Sequence, residues 1–199
     1  IILCLFFAAL AVRGVAIIQT PVIAKDAILY INSAKLYYAR TFDEGYRAYP
    51  PSILPLFISF VYPLFGDWVK AGQWLSAVCG ALAVIPVYFL ARRIFDEKIA
   101  LLGSLFYIIC PDLVRYSAEI LKDIPFVFFN CLAIWFGYKG IKDDKKLYLV
   151  FLGLLIPISA FIRREGLLLL VIFTLFLFWL GIYHCRKDTT NISNRIFRT

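Results

Sequence analysis

Three short groups of charged residues interrupt the long apolar stretches of this chain. Lys25-Asp26 follows the first stretch, Lys122-Asp123 precedes the fourth, and Arg163-Arg164-Glu165 joins the last two. Desolvating an ionisable residue at the end of an apolar helix costs free energy, so each one is a candidate for function. Carboxylates and cations gathered at one surface suit acid–base chemistry on a phosphate-bearing substrate.

The reaction that this combination predicts is attack of an acceptor on a sugar carried by a lipid phosphate. A carboxylate would take the acceptor's proton, and cations would neutralise the phosphate, which then leaves without a strong general acid. One direct displacement inverts the sugar carbon. The candidate phosphate-binding cations are Lys25, Lys122, Arg163 and Arg164.

Each group also has a purely structural interpretation. Lys25 can extend its ammonium group to lipid headgroups, and Arg163-Arg164-Glu165 can be a helix start with a local ion pair. Asp26 and Asp123 are harder to explain in this way, because Asn or Ser would cap a helix at a lower desolvation cost. The two aspartates are therefore the predicted catalytic residues.

Composition indicates where these residues must lie. Of 199 residues, 62% are hydrophobic and 17% charged, and the mean hydropathy of +0.83 excludes a soluble domain of this size. The net charge of +8 fits basic loops between membrane spans and not a nucleic-acid surface. The composition therefore predicts an integral membrane protein.

Six apolar segments approach the length of about 20 residues that a spanning helix needs. The sequence therefore predicts an all-α, polytopic membrane protein with about six transmembrane helices. The two short segments 99–110 and 124–138 can instead form a re-entrant hairpin. The predicted spans are Ile1–Ala24, Ala71–Ala91, Ile99–Cys110, Ile124–Tyr138, Leu147–Ile162 and Gly166–His184.

The uncharged stretch Ala48–Gly66 contains four prolines, which oppose a straight spanning helix. We expect surface helices there, within a long first loop running from Lys25 to Lys70. Basic residues concentrate in the short loops after the second, fourth and sixth spans, which predicts cytoplasmic chain ends. The three charged groups would then face outside or the periplasm, across the plasma (inner) membrane.

Residues 1–184 are predicted to be the N-terminal transmembrane part of a larger domain, and residues 185–199 a cytoplasmic segment. Met is absent, even at position 1, and the chain begins and ends within its pattern, so we expect a fragment. A cleavable signal peptide is an alternative for the first dozen residues.

Several short motifs resemble the GT-C superfamily of polytopic glycosyltransferases, which includes protein O-mannosyltransferases and lipid A aminoarabinose transferases. They are Asp26-Ala27-Ile28-Leu29-Tyr30, Tyr49-Pro50-Pro51, Leu64-Phe65-Gly66, the run 88–95, the run Glu119 to Pro125, and the run 161–166. Their order and spacing match the N-terminal half of such an enzyme over nearly the whole chain.

The resemblance implies an inverting transferase that uses a polyprenyl-phosphate-linked sugar. Asp26 would be the catalytic base, and Asp123 a second acidic residue that positions the acceptor or a divalent metal. Arg163 would bind the lipid phosphate, and the site would be lined by Tyr30, Glu119 and Tyr49. Leu29 and Tyr49 stand where aminoarabinose transferases carry Arg and Lys, which disfavours that subgroup.

Two other functions remain open at this stage. A secondary transporter also contains broken helices and intramembrane charges, and Arg13 is such a charge in the first apolar segment. A membrane assembly subunit without chemistry would carry charged loops simply for solvation. The predicted partners are the bilayer, a lipid-linked sugar donor, and a protein, lipid or glycan acceptor, without nucleic acid.

Overall fold

The computed structural model describes residues 1–20, 23–49, 52–143 and 145–175. This part of the chain is helical and contains no strand, so the all-α prediction is confirmed. Residues 167–175 are also helical. The helices are α1 (Ile2–Gln19), α2 (Lys25–Tyr38), α3 (Phe42–Ala48), α4 (Leu54–Phe65), α5 (Trp68–Leu82), α6 (Val84–Ile94), α7 (Glu97–Ile109), α8 (Pro111–Ala118), α9 (Asp123–Lys142) and α10 (Lys146–Ile162).

Three helical elements are long and apolar enough to cross a membrane, namely α1 (18 residues), α5 with α6 (27 residues) and α9 (20 residues). They correspond to the first, second and fourth predicted spans. The predicted third span is a pair, α7 and α8, bent by 47°, which reaches spanning length only as one element. The predicted fifth span, α10, is 17 residues long, and the second half of the sixth, from residue 176, lies outside the described residues.

Local sequence explains where these helices begin and end. The Asp67 carboxylate caps α5 by accepting from the amides of Val69 (2.8 Å) and Lys70 (3.1 Å), and Asp96 caps α7 in the same way. Pro111 at the first position of α8 fixes the bend after α7. Gly66 ends α4 in the left-handed conformation, at φ 64°.

Small residues allow the helices to approach closely. Helix α5 buries a face made largely of Ala, Gly and Ser residues, and this helix packs against α1, α8 and α9. In α9, Gly137 and Gly140 face Leu152 and Leu149 of α10. Helix packing between small residues is a common means of association in membranes, where burial of apolar surface contributes little.

Large apolar side chains cover the outside of the bundle, among them Phe7, Leu102, Phe106 and Leu154. Contiguous apolar surface of this kind suits contact with lipid chains. Together with the apolar helices, it supports an integral membrane protein.

Arg13 points into the bundle and is fully buried. Its Nη1 donates to the carbonyl of Ala9 at 3.2 Å, and its guanidinium lies 5.2 Å from the centre of the Tyr107 ring. Tyr107 in turn donates to the carbonyl of Gly80 at 3.1 Å. The cation is therefore held by one backbone acceptor in α1 and by a cation–π contact with α7, and its Nε and Nη2 have no hydrogen-bond partner among the described residues.

The predicted first loop consists of three helices. Helix α4 contacts both α2 and α5, burying Leu54, Pro55 and Ile58 while Phe60 and Leu64 stay exposed. This two-faced helix agrees with the proline argument against a straight span; its position relative to the membrane surface stays a prediction.

Candidate active site

Four chain connections meet at one end of the bundle: those between α1 and α2, between α3 and α4, between α8 and α9, and the segment that follows α10. We call them the loop cluster. Each carries at least one of the residues singled out from the sequence. Their convergence follows from helix direction, because α1, α8 and α10 end here and α9 begins here.

Backbone and amide hydrogen bonds hold these connections together. The buried side chain of Gln73 donates to the carbonyls of Thr20 (3.3 Å) and Ala118 (3.0 Å). The amide of Ala24 donates to the carbonyl of Glu119 at 3.4 Å. These bonds link the connection before Asp26 to the connection before Asp123.

A third bond joins the remaining pair of connections. The amide of Ile53 donates to the carbonyl of Phe161 at 3.1 Å. This bond ties the start of α4, close to Tyr49, to the end of α10, close to Arg163. The loop cluster is therefore a braced unit and not a set of independent loops.

Ile120 has an unusual backbone at the centre of this unit. Its φ of 57° lies in the left-handed region, where a β-branched residue is a genuine outlier. Its side chain is fully buried and packs against Gly72, whose Cβ would lie 2.7 Å from Ile120 Cγ2. Packing thus holds a strained turn directly before Asp123, an arrangement found most often at functional sites.

Tyr30 is the centre of the candidate site. Its side chain is fully buried, its ring meets that of Tyr49 edge-on with centroids 4.8 Å apart, and its hydroxyl has no hydrogen-bond partner among the described residues. Burial raises the pKa of Tyr30, and Tyr49 and then the charges of Asp26 and Asp123 raise it further. The hydroxyl therefore stays protonated and can serve a ligand as a hydrogen-bond donor or acceptor.

Arg163 pairs with both neighbouring carboxylates. It forms an ion pair and a hydrogen bond with Asp123, and its Nε lies 3.0 Å from a Glu165 carboxylate oxygen. Burial opposes its positive charge, but the bonds to Glu165 and Asp123 outweigh that effect and raise the pKa of Arg163. Backbone hydrogen bonding and Arg163 lower the pKa of Glu165, so both groups of this pair stay charged.

The other predicted site residues fall into two sets. Lys122 is near enough to Glu165 for its charge to contribute to that lowered pKa, and Lys25 is exposed beside Asp26. Glu119 faces Arg115, with 3.6 Å between their charged atoms. Arg164 lines a separate apolar cavity of about 410 Å³, formed by α10 and the helical segment after it.

A divalent metal at Asp123 stays a prediction. Within the described residues, no group of three or more His, Cys, Asp and Glu side chains is placed to hold a metal ion. Asp123 offers one carboxylate, which is bound to Arg163.

Gln73, Ile120 and the Asn130–Ser159 hydrogen bond between α9 and α10 are structural supports that sequence reasoning missed. The role of Gln73 could have been predicted from the sequence, because an amide inside an otherwise apolar segment must find hydrogen-bond partners. The left-handed turn at Ile120 could not, because Ile is among the residues least expected in that conformation.

Gly166 provides a test of the turn that carries Arg163. A Cβ at this position would lie 2.5 Å from the backbone nitrogen of Ala160, so Gly166→Ala must displace the turn. We expect a loss of about 1–3 kcal/mol in the free energy of unfolding, measured by thermal unfolding of the full-length protein in detergent. Gly153→Ala is the matched control: nothing lies within 4 Å of its Cβ, so it should be neutral or stabilising. Equal stability of the two variants would contradict the tight packing of this turn.

The fold and the loop cluster define an all-α polytopic membrane protein with acidic and basic residues gathered at one end of its bundle. Comparison with known proteins identifies its family. The family model of dolichyl-phosphate-mannose-protein mannosyltransferases matches residues 50–191. The chain belongs to this family, within the GT-C superfamily of membrane glycosyltransferases.

A curated relative agrees with this assignment. The chain is 31% identical over 109 residues to a dolichyl-phosphooligosaccharide-protein glycotransferase of Methanocaldococcus jannaschii. The match covers 52% of this chain and 12% of the relative, so the chain spans only a small part of that protein's length. No solved structure matches the chain.

Proposed function

We propose that the full-length protein transfers a sugar from a polyprenyl-phosphate donor to a protein, lipid or glycan acceptor. The reaction takes place at the extracytoplasmic face of the plasma (inner) membrane, where the loop cluster lies. The observation that carries this proposal is the ion pair between Asp123 and Arg163 in the loop cluster, where the Tyr30 hydroxyl is buried without a hydrogen-bond partner among the described residues. Family membership supports the class of reaction.

The donor phosphate binds at Arg163. Glu165 is the more exposed of the two carboxylates on this guanidinium, with 52% of its side chain accessible. An incoming phosphate can therefore replace Glu165 while Asp123 keeps Arg163 oriented. A guanidinium presents several N–H donors in a fixed plane, which suits phosphate oxygens.

The transfer is one displacement. The acceptor's nucleophilic atom forms a bond to the anomeric carbon of the sugar, and the bond between that carbon and the phosphate oxygen breaks. The electron pair leaves with the polyprenyl phosphate, whose charge Arg163 balances. Asp26 takes the proton of the acceptor, and the anomeric configuration inverts.

Tyr30 and Asp123 position the reactants. The Tyr30 hydroxyl is already desolvated and has no partner within the part of the chain that the structure describes, so a sugar hydroxyl that binds it satisfies a buried polar group. Asp123 holds Arg163 and is available to the acceptor through its second oxygen. A divalent metal bound there would add positive charge near the leaving phosphate.

The alternative functions receive less support. A transporter would need polar groups that line a path through the bundle, but Arg13 is enclosed by α1, α5 and α7. An assembly subunit gives no reason for a buried tyrosine hydroxyl that has no hydrogen-bond partner among the described residues. Neither alternative accounts for the family match.

Transfer from a lipid-linked donor tests the proposal directly. The full-length protein is reconstituted in vesicles with radiolabelled mannosyl polyprenyl phosphate and a membrane extract that supplies acceptors. We expect label in acceptor material, release of polyprenyl phosphate in equal amount, and an inverted anomeric linkage. A nucleotide-linked sugar in vesicles without polyprenyl phosphate is the control and should give no product. Label that crosses the membrane without becoming covalently attached would support the transporter instead.

A further inference from the structure

A second polar pocket lies at the opposite end of the bundle, between the C-terminal ends of α6 and α9. Its volume is about 200 Å³, and it is lined by Phe89, Arg93, Trp135, Tyr138, Lys139 and Asp143. Helix α9 starts at Asp123 in the loop cluster and rises about 30 Å over its 20 residues. The pocket is therefore separated from the candidate active site by the full length of a spanning helix.

An aromatic wall shapes this pocket. The rings of Phe89 and Trp135 stack with their centroids 5.4 Å apart and their planes at 19°, so they join α6 to α9. The ammonium group of Lys139 lies 5.1 Å from the Trp135 ring and 4.5 Å from the Tyr148 ring. These cation–π contacts hold the cation beside the wall.

The charges of the pocket favour an anion. Arg93 and Lys139 contribute two positive charges and Asp143 one negative charge, so the lining is positive by one. Among the described residues, neither cation forms an ion pair within 4 Å. Lys142 donates to the hydroxyl of Tyr138, a lining residue, at 3.0 Å and adds a further positive charge beside the pocket. The anion of a phosphodiester fits this positive lining.

The position of the pocket indicates the source of that phosphodiester. Both helices that form it belong to elements long and apolar enough to span a membrane, and Trp and Tyr at such helix ends lie at the level of lipid headgroups. Basic residues at this level attract anionic lipids. We propose that the pocket binds the phosphodiester headgroup of an anionic glycerophospholipid in the leaflet opposite the loop cluster.

Native mass spectrometry of the full-length protein in detergent tests this proposal. Phosphatidylglycerol should remain bound where phosphatidylcholine of the same acyl chains is lost. The variant Arg93→Gln/Lys139→Gln should bind phosphatidylglycerol about 30-fold more weakly, since each basic residue near an anionic surface contributes about a fivefold factor. Lys98→Gln/Lys146→Gln removes the same charge from exposed positions outside the pocket and should bind like the wild type.

A fluorescence measurement on the wild type and a single variant tests the same proposal without relying on the folding of Arg93→Gln/Lys139→Gln. Brominated phosphatidylglycerol should quench wild-type fluorescence more than brominated phosphatidylcholine, and Trp135→Phe should abolish that difference. Equal binding of the two lipids by the wild type, or unchanged binding by the pocket variant, would overturn the proposal. Competition by soluble glycerophosphoglycerol at the same concentration as the lipid would also overturn it, because the site would then recognise a free phosphodiester.

Discussion

Asp26→Asn should reduce sugar transfer by the full-length protein by about 10²–10⁴-fold, the range that a positioned general base contributes. Asparagine keeps the shape of the side chain but cannot take the acceptor's proton. Asp26 is exposed in the first turn of α2, so the substitution removes only a favourable interaction with the helix dipole, worth about 0.3–1 kcal/mol. Transfer is measured with the lipid-linked donor in vesicles, at matched protein levels.

Asp43→Asn is the matched control for this loss. Asp43 is also exposed and also lies in the first turn of a helix, α3, which belongs to the same predicted loop as α2. It is not among the residues of the candidate site. Its substitution should leave transfer within about twofold of wild type. If Asp26→Asn retained near-normal activity and Asp123→Asn did not, the base would be Asp123 and the role assigned to Asp26 would be wrong.

Arg163→Gln should lower transfer by about 10²–10³-fold, the usual effect of removing one group that stabilises developing charge. Both the donor KM and kcat should change, because Arg163 is proposed to bind the phosphate before the reaction and to balance its charge as it leaves. The ion pair with Asp123 is about one third exposed on each side, at 31% and 32%, so its loss should cost folding only about 1 kcal/mol.

Arg164→Gln is the matched control, because it removes one positive charge at the neighbouring position. The two arginines are adjacent, but the Arg164 side chain lines the apolar cavity beside α10, whereas Arg163 is paired with Asp123. We therefore expect Arg164→Gln to retain transfer within a few-fold of wild type. The double variant Asp123→Asn/Arg163→Gln should lose less than the product of the two single losses, because the paired side chains are coupled. Equal losses from the two arginine substitutions would contradict the assignment of Arg163.

Much of the architecture followed from the sequence because apolar length is a local property. The runs that became α1, α5 with α6, and α9 are visible as windows of high hydropathy, and the helix caps at Asp67 and Asp96 depend on neighbouring residues only. The family was also accessible, since ordered motifs need no three-dimensional information.

The bend between α7 and α8 and the exact length of each span were harder to predict from the sequence. The predicted third span stopped at Cys110, whereas the helical chain continues as α8 after a bend of 47°, and only the two helices together reach spanning length. A window of hydropathy does not register a change of direction at a proline. Conversely, α9 extends four residues beyond Tyr138, because Lys139 and Lys142 direct their charges to aromatic rings.

The sequence by itself determined that the chain is an all-α membrane protein with Asp26, Asp123 and Arg163 at helix ends, because apolar length and helix direction follow from nearby residues. Only the tertiary structure decided which of them meet. It joined Asp123 to Arg163 across 40 positions, buried the Tyr30 side chain against the ring of Tyr49, and placed the Arg164 side chain at the apolar cavity beside α10. The physical reason is that these relations depend on packing between distant helices, fixed by small residues in α5 and by the partners of Gln73.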